Sequence, residues 1–395
     1  MALIRLDEPT THRIPPDTFS LFALGFRPFY LLAAVFSVVA IPIWALIYSG
    51  VLVPRMPGIW WHAHEMIFGF AAAVIVGFLF TAGKAWTGLD TPTGTPLAIL
   101  AAVWIAGRLA MAFGSATVAA IGDVIFLPVC AAIFFAVLLR SKSQRNYFIG
   151  GLLCVLSVAN LSFHLAQLGL IGVDPLGTLH GALGLIVLLE TIIAGRVVPM
   201  FTANALRGVR QWRNKTFDYI AIGFTALALG LWVGGAGPAG AVVALIAAVM
   251  QFVRTAGWNP WATRVNPLLW VLHVSHLWIP VGLLLLAAAQ WGLLPRSAGI
   301  HALAIGSTGG LIIGMITRTA LGHTGRMLAA GPVETAAYVL VQAAALARVL
   351  TVALIPAAAT GGVHLAATLW ALAFGLYAWR YFPFLMRARV DGKPG

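Results

Sequence analysis

Runs of about 20 apolar residues recur along the whole chain, and no other feature constrains its fold as much. A run of that kind crosses a bilayer only if its backbone amides and carbonyls are satisfied within the segment, which a helix achieves and an open strand does not. Barrel strands would alternate apolar and polar residues over roughly 10 positions, and these runs do not alternate. Only 9% of residues are charged and 61% are hydrophobic, against about a quarter charged in soluble domains. The chain therefore reads as an all-α polytopic membrane protein.

The pattern predicts twelve transmembrane helices, near 27–49, 63–83, 95–113, 118–139, 147–171, 178–201, 217–235, 238–254, 266–289, 299–320, 332–356 and 362–385, with ends good to about two to four residues. Residues 1–20 form a polar N-terminal tail, 21–386 a single membrane domain and 387–395 a basic C-terminal tail. Asp7, Glu8 and Asp17 precede the first run, and no small-residue cleavage site follows a short apolar core, so that run is read as a retained span.

The formal charge of +13 is spread over short loops, which excludes a nucleic-acid-binding face and points to membrane orientation. Loops after even-numbered spans carry Lys84, then Arg140, Lys142 and Arg145, then Arg207, Arg210, Arg213 and Lys215, then Arg254 and Arg264, then Arg326. Loops after odd-numbered spans hold only Arg55 and Arg296 as basic residues. Positive loops stay inside, so both termini are expected in the cytoplasm. Cys130 and Cys154 lie within apolar runs and are expected as free packing residues.

Chemistry is carried by histidine. His62, His180 and His301 open spans 2, 6 and 10 from the outer side, at intervals of 118 and 121 residues, and each interval holds four spans. Three four-helix units are a consistent architecture. His64, two residues after His62, and His164, late in span 5, fall at the same outer level. His273 and His276 share one face of span 9 at i, i+3 spacing, and His323 lies at the inner mouth. His12 and His364 read as a tail and an interface histidine. Ionisable groups within a membrane are costly and tend to face cavities or cofactors, and imidazole suits haem iron and copper. These eight histidines, His62, His64, His164, His180, His273, His276, His301 and His323, are the metal-ligand candidates. A haem pair of His62 or His64 with His301 is expected, with His164 and His180 near a second metal. Arg27, Arg196 and Arg318, like Arg108, stand at span ends, where a guanidinium can clamp a propionate or snorkel to headgroups. Glu190 lies mid-span, with Arg196 as a candidate partner. No Cys-x-x-Cys-His or Walker A motif is present, and no Gly-x-Gly-x-x-Gly opens a nucleotide fold.

Four stretches together resemble the NnrS family: Gly25-Phe26-Arg27-Pro28-Phe29; His62-Ala63-His64-Glu65-Met66-Ile67-Phe68-Gly69-Phe70; Gly195-Arg196-Val197-Val198-Pro199-Met200-Phe201-Thr202; and Arg318-Thr319-Ala320-Leu321-Gly322-His323-Thr324-Gly325-Arg326. The resemblance implies a bacterial inner-membrane protein carrying haem b and copper, with nitric oxide as its small-molecule partner and an electron donor that it does not identify. Resistance to nitrosative stress is the implied role, and any enzymatic activity would be an oxidoreductase acting on nitric oxide. His62, His64 and His323 are the family-motif histidines in this chain. The arrangement also resembles haem–copper oxidases, with histidines on spans 2, 6 and 10, although span 7 has none. Two other readings of the residues are a secondary transporter built around Glu190 and a haem-bearing sensor or assembly partner without turnover.

Overall fold

The computed structural model describes residues 14–393, so His12, the first thirteen residues of the N-terminal tail and the last two of the C-terminal tail lie outside it. The described residues hold twelve helices long and apolar enough to cross a membrane: α1 Phe26–Tyr48, α2 Gly58–Thr87, α3 Gly94–Phe113, α4 Ala116–Arg140, α5 Gln144–Gln167, α6 Pro175–Ala205, α7 Lys215–Val233, α8 Gly237–Gly257, α9 Pro267–Gln290, α10 Arg296–His323, α11 Pro332–Leu354 and α12 Pro356–Met386. The chain is all-α and multi-pass, as its apolar periodicity dictates. Several helices run past the expected ends. α2 begins at Gly58 and α6 continues to Ala205, because Trp60, Trp61 and Thr202 extend the helical pattern beyond the purely apolar core.

Local signals set the boundaries. The Asp174 carboxylate accepts from the amides of Leu176 and Gly177 and Pro175 follows at the first turn of α6, a cap that satisfies donors a helix start leaves open. Asn214 and Asn266 cap α7 and α9 in the same way. At α11, Glu334 reaches back to accept from the Gly331 amide at 2.8 Å.

Burial separates an inner set of helices from an outer one. Within its apolar core α2 is 78% buried, α10 72%, and α6 and α9 61% each, whereas α7 is only 28% buried. The three helices that begin with a histidine at one end are thus in the interior. The chain also closes on itself, since α1 packs along α12. Small residues allow such approaches between helices in a membrane: a Cβ on Gly77 of α2 would stand 3.3 Å from the Gly25 carbonyl at the start of α1.

The termini are latched together at one end of the bundle. The Ser20 amide donates to Met386 O and the Ala388 amide to Thr18 O. Arg27, fully buried, donates to the carbonyls of Leu385 and Arg387 at 3.1 and 2.7 Å. These carbonyls leave α12 without intrahelical partners, and the guanidinium supplies them. His62, His180 and His301 stand at the opposite end.

Among the described residues, two segments inside the spans are π-helical rather than α-helical. They are Glu65–Ala71 in α2 and Ala302–Gly309 in α10, and they follow His64 and His301 directly. π turns are rare and concentrate where a helix must re-aim side chains. α6 continues as regular α-helix past His180.

Candidate functional site: a histidine cavity and a buried histidine–carboxylate cluster

The first site is a cavity at the end of the bundle away from the termini. Side chains from α1, α2, α6, α10, α11 and α12 line it, and about 1150 Å³ of empty space, part of it open to solvent, lies among them. Small-molecule and cofactor pockets commonly measure roughly 300–1,000 Å³. The lining is aliphatic and aromatic apart from a few polar groups, chiefly His62, His180, His301 and Arg348. His301 and His62 hold nearly parallel rings, 14° apart with centroids separated by 6.4 Å. The other face relationship of His62 is with Trp44, which stacks on it at 4.4 Å and 9°.

Hydrogen bonding decides the His301 tautomer. Its Nδ1 lies 2.7 Å from the Ser297 carbonyl, and a carbonyl only accepts, so Nδ1 carries the proton and Nε2 keeps its lone pair. That is the arrangement in which a histidine Nε2 ligates a metal while the other ring nitrogen is held by a backbone acceptor.

The second site is closed. His64, Glu65, Arg108, Asp123, Asn160 and His164 are all buried. Arg108 donates to Glu65 Oε1 at 2.8 Å and ion-pairs with Asp123 through its other amino group. His64 faces Glu65 Oε1 with Nδ1 at 3.1 Å, and its Nε2 lies 3.1 Å from Asp123 Oδ2 and 3.0 Å from Asn160 Oδ1. His164 Nε2 meets the same Asp123 oxygen at 2.9 Å, and Asn160 donates to it at 2.8 Å. Ligand atoms of His64, Asp123 and His164 all lie within 4.8 Å of one another. Two imidazole nitrogens and a carboxylate oxygen form a donor set suited to a divalent metal at about 2.0–2.2 Å. Glu65 then acts as the carboxylate that orients the ligating ring from behind. The Arg108 guanidinium offsets the carboxylate charge, without which two buried anions would be costly.

The helix geometry of α2 separates the two sites. His62 and His64 are two residues apart, hence about 200° apart around the axis. One therefore faces the cavity and the other the closed cluster. His164 joins His64, as expected from its depth, but His180 lines the cavity with His62 and His301 rather than standing beside His164.

The remaining candidates lie elsewhere. His273 Nε2 is 2.9 Å from Thr202 Oγ1 and His276 Nδ1 is 2.8 Å from Thr255 Oγ1. Both hydroxyls donate onward to backbone carbonyls, so each ring donates to its threonine. His323 packs against Phe26 at 5.6 Å near the terminal latch, and Arg389 donates to its carbonyl. His364 meets Ser49 Oγ at 2.7 Å on an exposed edge. Arg196 donates to Asn146 Oδ1 at 3.2 Å, while Glu190 accepts from Ser307 Oγ at 2.9 Å, so the expected Glu190–Arg196 pair is not formed. Arg318 lies over the Phe201 ring at 3.8 Å. Cys130 and Cys154 are free.

Three charged or amide side chains of these sites were not anticipated from the sequence. Asp123 is the one acidic residue within α4, and Arg348 the one basic residue within α11. A charged group inside an apolar run is a functional candidate by default, so that signal was present. Asn160 carried none.

Twelve apolar helices with a histidine cavity at one end and a histidine–carboxylate cluster in the interior define a multi-pass membrane protein with two internal groups of ligand-type side chains. The chain belongs to the NnrS family: the family profile, described as NnrS protein, matches residues 20–389, nearly the whole chain. Among curated proteins none matches it.

Proposed function

We propose that this protein holds haem b in the cavity of His62, His180 and His301, holds a second metal, copper, at His64, Asp123 and His164, and uses them to bind or reduce nitric oxide in the bacterial inner membrane. Membership of the NnrS family supports a role in the nitric-oxide-related response. The observation that carries the reading is the His301 tautomer: its proton is committed to Ser297 and its free Nε2 lone pair belongs to a residue lining a largely apolar cavity of cofactor size.

The chain's own groups divide the work. His301 offers Nε2 and Ser297 keeps it in that tautomer. His62, held flat by Trp44, presents a ring parallel to that of His301 across the cavity. The largely aliphatic and aromatic lining lowers the local dielectric, which strengthens electrostatic interactions inside. Haem bound there would supply the iron to which a diatomic ligand coordinates. In the second site, ligation at His64 and His164 requires both Nε2 atoms unprotonated, so metal uptake releases protons while Glu65 keeps the Nδ1 proton of His64.

The test is an optical spectrum and metal analysis of the purified full chain. A Soret band with one iron per chain, lost in His301→Ala, is the expected result. A chain that folds and carries no haem under haem-replete expression sinks the reading. Nitric oxide consumption by the reduced protein, followed anaerobically, then distinguishes turnover from binding alone.

A further inference from the structure

Arginines inside the bundle are costly unless something receives their charge. Arg27 ends on backbone carbonyls, Arg108 on Glu65 and Asp123, Arg196 on Asn146, and Arg254 on Asp218 at 2.8 Å. Arg348 forms no ion pair among the described residues, and its Nη1 is buried without a hydrogen-bond partner. The residue lines the cavity of His62, His180 and His301. It sits six residues before the end of α11, roughly 9 Å along the axis at 1.5 Å per residue. His62 and His301 lie four and five residues into their own helices from the same end, so all three share one level. Deeper in the same cavity, Trp370 also keeps its indole N–H buried and unpartnered. The protein has thus placed buried donors in a largely apolar cavity whose lining holds no carboxylate to receive them. A guanidinium in that position recognises a carboxylate, bidentately and with charge assistance.

We propose that Arg348 is an anion subsite of the cavity and would receive a carboxylate of the cofactor bound there, a haem propionate. The proposal rests on the haem reading above. It assigns to Arg348 the clamping role that the sequence offered for Arg27, Arg108, Arg196 and Arg318, none of which lines this cavity.

The experiment compares two probes on the haem-depleted full chain in detergent: haem b and its dimethyl ester, in which both carboxylates are neutral. Wild-type protein is expected to bind haem about 10- to 100-fold more tightly than the ester, the range a hydrogen bond to a charged group supports. Arg348→Gln should abolish that preference and lower the reduction potential of the bound haem, since a cation near the iron favours the reduced state. Arg348→Lys should restore part of both. The wild-type comparison of the two probes needs no variant, so it stands even if Arg348→Gln folds poorly. Equal binding of haem and ester, or a preference that survives Arg348→Gln, overturns the subsite while leaving haem binding intact. Arg348-dependent saturation by inorganic nitrite, with haem and ester equivalent, would assign the cation to a free oxyanion and also overturn it. If neither probe forms a Soret band, the haem reading itself fails and the subsite falls with it.

Discussion

His62 and His64 stand two residues apart on one helix and belong to different sites. His62 stacks on Trp44 at the wall of an open cavity, whereas His64 is wholly buried and meets Glu65, Asp123 and Asn160. Glu65, the first residue of the π-helical segment, meets His64 and Arg108 with the same carboxylate oxygen.

Because the two histidines face opposite ways, their alanine variants should have separate consequences. His62→Ala is expected to weaken or shift the Soret band and leave the second metal in place. His64→Ala should empty the second site and spare the haem. Iron and copper analysis alongside the optical spectrum reads both at once, and parallel loss of both metals in each variant would contradict the division.

Glu65 touches the metal-ligand candidate rather than any metal. Glu65→Gln should therefore reduce affinity at the His64–Asp123–His164 site by about 10- to 100-fold without abolishing it, as removal of an orienting carboxylate does elsewhere. Competition against a chelator of known affinity measures this. Unchanged affinity would show that Glu65 serves Arg108 alone.

Asp123→Asn leaves Arg108 with half of its compensating charge in a site from which water is excluded. Side-chain exposure is 8% for Arg108 and 2% for Asp123, so the loss of about 3–5 kcal/mol typical of a broken buried pair applies. Thermal unfolding in detergent should show a clearly lowered midpoint. Asp90→Asn offers the contrast: its pair with Lys84 is exposed on both sides, and a shift within about 1 kcal/mol is expected.

Gly69 lies inside the π segment of α2. A Cβ there would stand 2.7 Å from Phe36, 3.0 Å from Arg108 Nη1 and 3.2 Å from Glu65 Oε2. Gly69→Ala should cost about 1–3 kcal/mol by overpacking and disturb the second site through Arg108. Gly223→Ala, where a Cβ meets nothing within 4 Å, should be neutral or slightly stabilising.

The terminal latch carries a pH dependence of known sign. Arg389 donates to both Asp391 oxygens, at 2.9 and 2.7 Å, and holds this carboxyl below the usual carboxylate range. A carboxyl depressed on folding contributes stability above its unfolded pKa and loses it as pH falls through the folded value. Local loosening of the tail at this pair, followed by limited proteolysis, should therefore set in as pH falls below the ordinary aspartate range, and Asp391→Asn should show a similarly small rise in cleavage at neutral pH, because the pair is exposed and lies within the tail itself. Protease resistance of that variant equal to wild type would show that the pair contributes nothing and that the backbone bonds of Thr18 and Met386 hold the tail alone.

Much of this architecture was legible because a bilayer imposes a local requirement. Each apolar run must satisfy its own backbone, so twelve helices and their approximate ends follow from residue order without knowledge of their neighbours. The histidines at the heads of spans 2, 6 and 10 were visible in the same way, and so was the free state of Cys130 and Cys154. Family membership was legible too, in the stretches around Arg27, His62, Arg196 and Arg318.

Which histidines share a site was not legible, because that depends on helix rotation and on which helices touch. A single run specifies neither. Tertiary structure decided that His180 turns toward His62 and His301 while His164 turns toward His64, and that Glu190 meets Ser307 rather than Arg196. It also brought Asp123, Asn160 and Arg348 from separate helices to these groups. The physical reason is range: backbone satisfaction is settled within one turn of helix, whereas the partner of a buried charge is settled only when distant spans pack against each other.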